Sequence, residues 1–337
     1  MAHSPKLSPK LYTLNQIKQC LTEDTFQTII QEIANGFALL SKNQVALAPV
    51  IHLGPFSTTT NQLDDACIKS GFIQSQEHFV IKIATGGFKS NLSLPTPLPT
   101  ADGLMVVFSQ TTGMCEGLLL DQGYLTDLRT AAAGAVAAQL LAPKDIKHIG
   151  VIGTGIQARF QLKLLKQVCS CRSVVLFGRN QSRTALCQKD IEEMGFAVEI
   201  VSNIQTLASK CHLIITTTSS TLPLLMSDWV LSGTHITAVG ADGLGKQELD
   251  PVLVQRANRI VCDEISQCIS FGEVSHAIKL DLINVEQVEA LGDVVRQGRT
   301  KRKKNDITIF DSTGVAVQDV VIASMAMKLL NGVRSKM

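Results

Sequence analysis

His148-Ile149-Gly150-Val151-Ile152-Gly153-Thr154-Gly155-Ile156-Gln157-Ala158 sets an apolar run directly before a glycine turn and a helix-opening segment. A strand feeding a Gly-x-Gly-x-x-Ala turn lets backbone N–H groups approach a pyrophosphate, whose charge the positive end of the next helix favours. The motif alone is weak. Its place between strand and helix makes it a dinucleotide-binding turn, against the plainer reading of a glycine turn that packs a helix on a strand. The second strand ends in Phe177-Gly178-Arg179-Asn180, without the acidic residue that takes the ribose hydroxyls of NAD. Arg179, with Asn180 beside it, either meets a 2′-phosphate, which tilts the expectation from NAD(H) slightly towards NADP(H), or is a solvated arginine at a strand end.

Outward from this turn, strand and helix alternate, as parallel βαβ units do. Apolar strands are predicted at 148–152, 173–177, 197–200, 212–216, 235–239, 259–262 and 307–310, the texture of a doubly wound sheet covered on both faces. The preceding stretch differs. Short β-like runs at 79–83, 104–108 and 117–120, broken by glycine and proline, predict a mixed or antiparallel sheet. Between residues 11 and 40, Ile17, Leu21, Phe26, Ile29, Ile30, Ile33 and Phe37 recur at helical spacing. An alanine-rich helix over 128–142, stopped by Pro143, is expected to link two domains, and a helix over 315–330 to return the chain to the first.

Bulk properties narrow the function. A chain of 337 residues that is 45% hydrophobic and 18% charged is too long for one small core and too apolar for disorder. A formal charge of +2 gives no field for gripping nucleic acid or an anionic membrane, so a small-molecule partner is expected. The basic run 299–304 has no interleaved aromatics and reads as a solvated loop. Nine cysteines scattered in apolar runs, such as Cys211 and Cys262, read as reduced thiols of a cytoplasmic protein. Cys169 and Cys171 lack a second pair at zinc spacing, and Glu273 with His276 forms no zinc motif, so no metal is expected. Trp229 reads as a packing residue. The first ten residues carry no apolar run of signal-peptide length, and no stretch reaches the about eighteen apolar residues of a membrane span.

Three side chains invite chemical readings. Arg129, in Leu125-Thr126-Asp127-Leu128-Arg129-Thr130, sits at a helix start among small neighbours, where a planar guanidinium grips a carboxylate bidentately or simply meets solvent. Lys82 alternates against Ile81 and Ile83 and so either reaches solvent or faces a cleft. Asp242, in Val239-Gly240-Ala241-Asp242-Gly243-Leu244-Gly245-Lys246, follows a strand end where such sheets bind ligands; it shuttles a proton there or only forms the turn.

Taken together, LTDLRTAAAGAVAA, GTGIQA, VGADGLGKQELD and DSTGVAVQD resemble the ornithine cyclodeaminase and μ-crystallin family, and the likeness spans nearly the whole chain. It implies an α/β fold in which a Rossmann domain, 128–314, is inserted into an α+β substrate and dimerisation domain, 1–127 plus 315–337. It also implies a homodimer and an active site in the cleft between the domains. By the resemblance Lys82 and Arg129 clamp the substrate α-carboxylate and Asp242 is the acid or base, with Lys82 and Arg129 reaching towards catalysis and cofactor as well. Cofactor contacts map onto Thr100, Gly153, Gly155, Ile156, Gln157, Ala158, Val239, Gly240, Lys246, Ser312, Thr313 and Gly314. Many family members carry another carboxylate-binding arginine shortly after a proline near the first strand. This chain reads Pro49-Val50-Ile51-His52, so His52 either replaces it or is structural.

Several activities share these motifs. Imino acid reductases and amino acid dehydrogenases turn over one nicotinamide per cycle, whereas ornithine cyclodeaminase oxidises an amine, loses ammonia and reduces the ring imine with no net redox change. The run from Leu119 to Asp127 resembles the branch with iminosuccinate reductases and ectoine-utilisation proteins, which ranks hydride transfer at the α-carbon of a small amino or imino acid first and cyclodeamination second. A μ-crystallin-like ligand carrier is the non-enzymatic alternative, against which Asp242 argues.

Overall fold

The structure, a computed structural model, describes residues 8–54, 64–299 and 302–334. The chain divides into two compact units. One comprises Met1–Ile29, Lys42–Arg129 and Val315–Met337; the other comprises Ile30–Ser41 and Thr130–Gly314.

The first unit is built on a seven-stranded sheet: β1 (Lys10–Thr13), β2 (Val45–Leu47), β3 (Ile51–Leu53), β4 (Asp65–Ile73), β5 (His78–Gly86), β6 (Asp102–Ser109) and β7 (Cys115–Leu120). Its order is β1-β7-β6-β5-β4-β2, with β3 also on β4; the pairs are antiparallel except β1 with β7. Residues 11–13, at the start of the stretch expected to be helical, are strand: Tyr12 is buried while Leu11 is 54% exposed, the two-residue alternation of an edge strand. Helix Leu14–Cys20 follows, and helix Phe26–Leu40 begins in this unit, its residues from Ile30 on belonging to the other. The long helix Ala316–Arg334 packs on β4 and β5. The other face of the sheet carries Phe72, Phe79, Ile81, Ile83, Val106 and Phe108, none fully buried, with Phe79 and Phe108 stacked at 4.8 Å between centroids.

The second unit holds β8 (Ile149–Ile152), β9 (Ser173–Phe177), β10 (Ala197–Ile200), β11 (Leu213–Thr216), β12 (Thr221–Leu225), β13 (His235–Ala238), β14 (Gln247–Leu249), β15 (Arg259–Cys262), β16 (Val288–Ala290) and β17 (Thr308–Asp311). Eight form one wholly parallel sheet in the order β10-β9-β8-β11-β13-β17-β15-β16, while β12 and β14 pair apart. Successive residues of β11 point into different cores. Ile214 joins Ile236 and Ile309 on one face, and Leu213 and Ile215 join Val151 and Leu162 on the other. That is why these strands read as continuous apolar runs. Trp229 packs at the edge of the first of these cores.

The alanine-rich helix runs Tyr124–Leu141, starting earlier than its alanines. Asp121 caps it, Oδ2 accepting from Leu125 N at 2.8 Å. At its far end Arg299 donates to Gln139 O (3.0 Å) and Ala142 O (2.8 Å), and Arg302 to Leu141 O (2.7 Å). These arginines of the basic run are therefore not simply solvated: they satisfy the open carbonyls of a helix C-terminus. Thr300 and Lys301 of that run lie outside the described residues. All nine cysteines are free, and Cys187, Cys211, Cys262 and Cys268 are buried. Among the described residues no helix is long and apolar enough to cross a membrane.

Candidate active site

In the second unit the chain steps outward from β8 through β9 to β10, then returns to β11 on the other side of β8, so a switch point lies where β8 ends. The turn found there is the one the sequence singled out. Gly153 has φ 121°, and a Cβ on it would strike Thr217 Oγ1 and approach Thr218 Cγ2 to 3.2 Å. Gly155 is the N-cap of helix Ile156–Leu165; among the described residues no side chain caps that end, and a Cβ on Gly155 would meet no atom within 4 Å. An uncapped helix N-terminus beside open space, at the head of Ile156, Gln157 and Ala158, fits the diphosphate of a dinucleotide. Arg159 braces the turn, donating to Thr154 O (2.8 Å) and Gly155 O (3.0 Å) and pairing with Asp190 at 2.6 Å. After β9, Asn180 accepts from Arg183 N at 3.0 Å and caps helix Gln181–Glu193. Arg179 beside it is exposed and, among the described residues, makes no hydrogen bond or ion pair.

Loops after β13 and β17 reach the same sheet edge. Val239 N donates to Thr216 O at 3.1 Å. Glu248, fully buried, accepts from Thr218 N (2.5 Å), Thr216 Oγ1 (2.6 Å) and Gly240 N (3.0 Å), tying two loops together. Burial pushes its carboxyl up to about 7 in spite of the hydrogen bonds from Thr216, Thr218 and Gly240. Asp263 gathers the other loop, accepting from Gly314 N (2.7 Å), Ser312 Oγ (2.8 Å) and Thr313 Oγ1 (3.4 Å). Asp242 is half exposed and pairs with Lys246 at 2.5 Å, and His276 Nε2 donates to Lys246 O at 2.9 Å. The second-unit positions Gly153 to Ala158, Arg179, Asn180, Val239, Gly240, Asp242, Lys246 and Ser312 to Gly314 thus all follow the carboxyl ends of β8, β9, β13 and β17.

In the first unit, Lys82 is on the inner face of β5 with Val80, only 2% exposed, and does not reach solvent. Its Nζ lies 3.1 Å from Asp319 Oδ2, and Arg129 Nε lies 3.1 Å from Asp319 Oδ1. Arg129 is also held by Gln318: Nη1 donates to Oε1 at 2.9 Å, and Gln318 Nε2 donates back to Arg129 O at 3.1 Å. Burial, helped by the charge of Arg129 and opposed by that of Asp319, pulls the Lys82 ammonium down to about 8. Asp121, near Lys82, is pushed by burial up to about 6 against its bond from Leu125. Lys82 and Arg129 both contact Asp319, and Lys69 and Asp121 also act on Lys82, so three basic side chains face two acidic ones, an excess of one that favours an anionic guest. His52 is not aimed at an open anion position: its Nδ1 pairs with Asp65 at 2.5 Å. Thr100 lies in the loop before β6, its carbonyl accepting from Phe88 N at 3.1 Å, and makes no contact with the Lys82 group in the hydrogen-bond network.

The family model described as "Ornithine cyclodeaminase/mu-crystallin family" matches residues 76–332. The chain belongs to this family. An uncharacterised cyclodeaminase of Sinorhizobium fredii is 37% identical over 90% of this chain and 88% of its own length. The iminosuccinate reductase of Paracoccus denitrificans is 38% identical over 77% of this chain and 80% of its own. Among solved structures, an archaeal alanine dehydrogenase dimer with bound NAD superimposes with a TM-score of 0.86 at 28% identity, covering 97% of each chain. A match to a family member at that identity and coverage establishes the α/β fold with its parallel nucleotide-type sheet.

Several residues that build the site escaped the sequence reading. Gln318 and Asp319 were hidden in a motif valued for its Ser-Thr-Gly turn; the available signal was a polar pair in the first turn of an otherwise apolar helix. Arg159, Glu248 and Asp263 each work through a partner outside their own motif, among them Asp190, Thr216 and Ser312, which no local pattern announces. Glu273, weighed above only as part of a zinc motif, is 1% exposed and accepts from Glu248 N (2.8 Å) and Leu249 N (3.0 Å), so it is a buried anchor. Among the described residues Cys262, Cys268 and Asp311 bring ligand atoms within 4.8 Å of one another; burial pushes the Cys262 thiol up to about 11, which keeps it protonated.

The turn yields a direct test. Gly153→Ala places a β-carbon against Thr217 and demands a left-handed φ that costs about 1–3 kcal/mol. Fluorescence titration with NADH is expected to show affinity falling by about tenfold or more, with β8 and its helix retained by circular dichroism; unchanged affinity would remove the turn from the cofactor site.

Proposed function

We propose that the protein is a nicotinamide-dependent oxidoreductase acting at the α-carbon of a small amino or imino acid, as an imino acid reductase or amino acid dehydrogenase. The observation that carries this reading is the buried Lys82–Arg129 pair with its excess positive charge, a host for an α-carboxylate. Supporting it, the family relatives include an iminosuccinate reductase and an NAD-bound alanine dehydrogenase.

A dinucleotide with its diphosphate in the turn at Gly153 and Gly155 would supply or accept the hydride through its nicotinamide. The chain's residues do the rest. Lys82 and Arg129 hold the carboxylate and so fix the adjacent carbon for attack. Asp242, on a glycine loop beyond β13 and beside Lys246, gives or takes the proton at the substrate nitrogen or at water. Glu248 and Asp263 keep the loops of Gly240 and Gly314 in place. Val239, Ser312 and Thr313 complete the cofactor contacts, and Thr100 is assigned to them as well.

Arg179 bears on the choice of nucleotide. Its free guanidinium after β9 suits a 2′-phosphate, and the assignment leans to NADP(H) over NAD(H). Arg179→Ala is expected to raise KM for NADPH by roughly tenfold or more, the loss of a charged hydrogen bond, and to leave KM for NADH unchanged. Equal effects on both would withdraw the lean.

The apolar outer face of the first sheet, with Phe72 and Ile83 partly exposed, is assigned to a homodimer. Nine free cysteines suit a reducing compartment, the cytoplasm. The functional assignment is tested by offering ornithine, alanine and aspartate with oxidised nucleotide, and glyoxylate, pyruvate and oxaloacetate with ammonium and reduced nucleotide, scoring nucleotide and product together. The expected result is net nucleotide turnover, matched by an amino acid in the reductive arm or by a 2-oxo acid and ammonia in the oxidative arm. The second reading, cyclodeamination, is favoured by the Sinorhizobium fredii relative; proline from ornithine without net nucleotide change would put it first.

A further inference from the structure

The helix Ala316–Arg334 presents an almost wholly apolar face to its sheet, yet its first turn buries Gln318 and Asp319, each 1% exposed. A buried carboxylate is expensive unless it is partnered. Asp319 is set between Lys82 on β5 and Arg129 on helix Tyr124–Leu141, one oxygen 3.1 Å from each cation. Among the described residues neither oxygen accepts a well-aligned hydrogen bond, so the contacts are ionic and the cations keep donors to spare. Arg129 is oriented separately by Gln318, whose Oε1 also accepts from Val315 N at 2.8 Å. Consecutive residues of one helical turn therefore hold the two cations of the clamp. The first-turn position also favours an acidic residue through the helix dipole.

We propose that Asp319 is a positioning residue for the substrate-carboxylate clamp: it spaces Lys82 and Arg129 around one anion position and balances one of their charges, so that a single carboxylate completes the set. The inference rests on the reading of Lys82 and Arg129 as that clamp. A charge-only view makes the opposite forecast, because deleting an anion beside two cations should tighten the binding of a carboxylate. The outcome turns on Lys82. The groups that act on it are Arg129 from helix Tyr124–Leu141, Lys69 and Cys67 from β4, Asp319 from the C-terminal helix, and Asp121 before helix Tyr124–Leu141. Asp319 raises its affinity for a proton, whereas Arg129 and Lys69 lower it. Without Asp319 the ammonium faces those two cations with less compensation, gives up its proton at lower pH, and loses its set distance from Arg129.

The test uses the full chain, with Lys82 followed by NMR of ¹³C-lysine-labelled protein and assigned through Lys82→Met. Glyoxylate, pyruvate and oxaloacetate are titrated calorimetrically into protein saturated with oxidised nucleotide. Asp319→Asn is expected to lower the Lys82 midpoint by roughly one pH unit or more and to weaken the best-bound acid by at least about tenfold, with nucleotide affinity unchanged. Asp319→Glu, which keeps the charge but displaces it by one methylene, is expected to restore the midpoint and only part of the affinity. It also serves as the reporting variant if Asp319→Asn does not fold. A wild-type midpoint and wild-type affinity in Asp319→Asn, tighter binding in that variant, or Asp319→Glu equal to wild type in both would overturn the proposal. If Lys82→Met and Arg129→Met bind the acids as well as wild type does, or if wild type binds none of the three, the clamp reading fails and takes this inference with it. Loss in those two variants with no change in Asp319→Asn sinks the inference alone.

Discussion

Asp242→Asn is expected to lower kcat by about 10²–10⁴-fold, the usual contribution of a positioned acid or base, while the dissociation constant for NADH stays within about twofold of wild type. The substitution keeps size and hydrogen-bonding capacity and removes the ability to exchange a proton. It also removes the charge that pairs with Lys246 at 2.5 Å, and Lys246 lies in the same glycine loop. Lys246→Met separates the two effects. If the loop needs only the ion pair, Lys246→Met should reproduce the loss; if the proton matters, it should affect nucleotide binding more than turnover. Single-turnover kinetics with reduced nucleotide is the deciding measurement, and a wild-type rate in Asp242→Asn would remove its catalytic role.

Lys82→Met is expected to show as large an effect on a different parameter. Methionine fills the volume of the lysine stem but leaves Asp319 and Arg129 as a neutral pair, so the excess positive charge that attracts a carboxylate disappears. Truncating one partner of a buried charge set costs about 2–5 kcal/mol, expected here as a rise in KM for the carboxylate substrate with little change in KM for the nucleotide. The pH profile supplies a second readout. With the Lys82 ammonium pulled down to about 8 by burial and by Arg129, the wild-type protein holds it charged below that pH and neutral above. Substrate affinity should therefore decline as pH rises through about 8, and that decline should vanish in Lys82→Met. A decline that persists in the variant would assign the titration to another group.

How far these expectations were readable beforehand differs from element to element. Strands at 173–177, 197–200 and 259–262 fall on the predicted residues, and others differ by a residue or so at their ends, because an apolar run covered on both faces leaves its mark in composition alone. Residues 11–13 differ from the expected helix because Leu11 and Tyr12 continue a helical apolar spacing, while the pairing that makes them strand comes from β7, far along the chain. Lys82 shows the limit most directly. Alternation put it correctly opposite Ile81 and Ile83, yet which face met solvent depended on the helix Ala316–Arg334, which covers the Lys82 side and leaves Ile83 36% exposed. His52 was weighed as a replacement for an absent arginine; its pairing with Asp65 answers where its ring points, and that depends on the register of β3 against β4.

By itself the sequence determined the parallel sheet, the nucleotide-type turn between β8 and its helix, and the loops at Asp242 and Ser312, because each is specified by neighbours within a few residues: glycines where φ must be positive, apolar runs where both faces are covered. Tertiary structure alone decided that Lys82 is buried, that Arg129 is shared between Asp319 and Gln318, the latter 189 residues further along the chain, and that Glu248 and Asp263 hold the loops of Gly240 and Gly314. Charge and hydrogen-bond partners act through space over a few ångströms, and closeness in space is set by how the elements pack; no local spacing of residues encodes it.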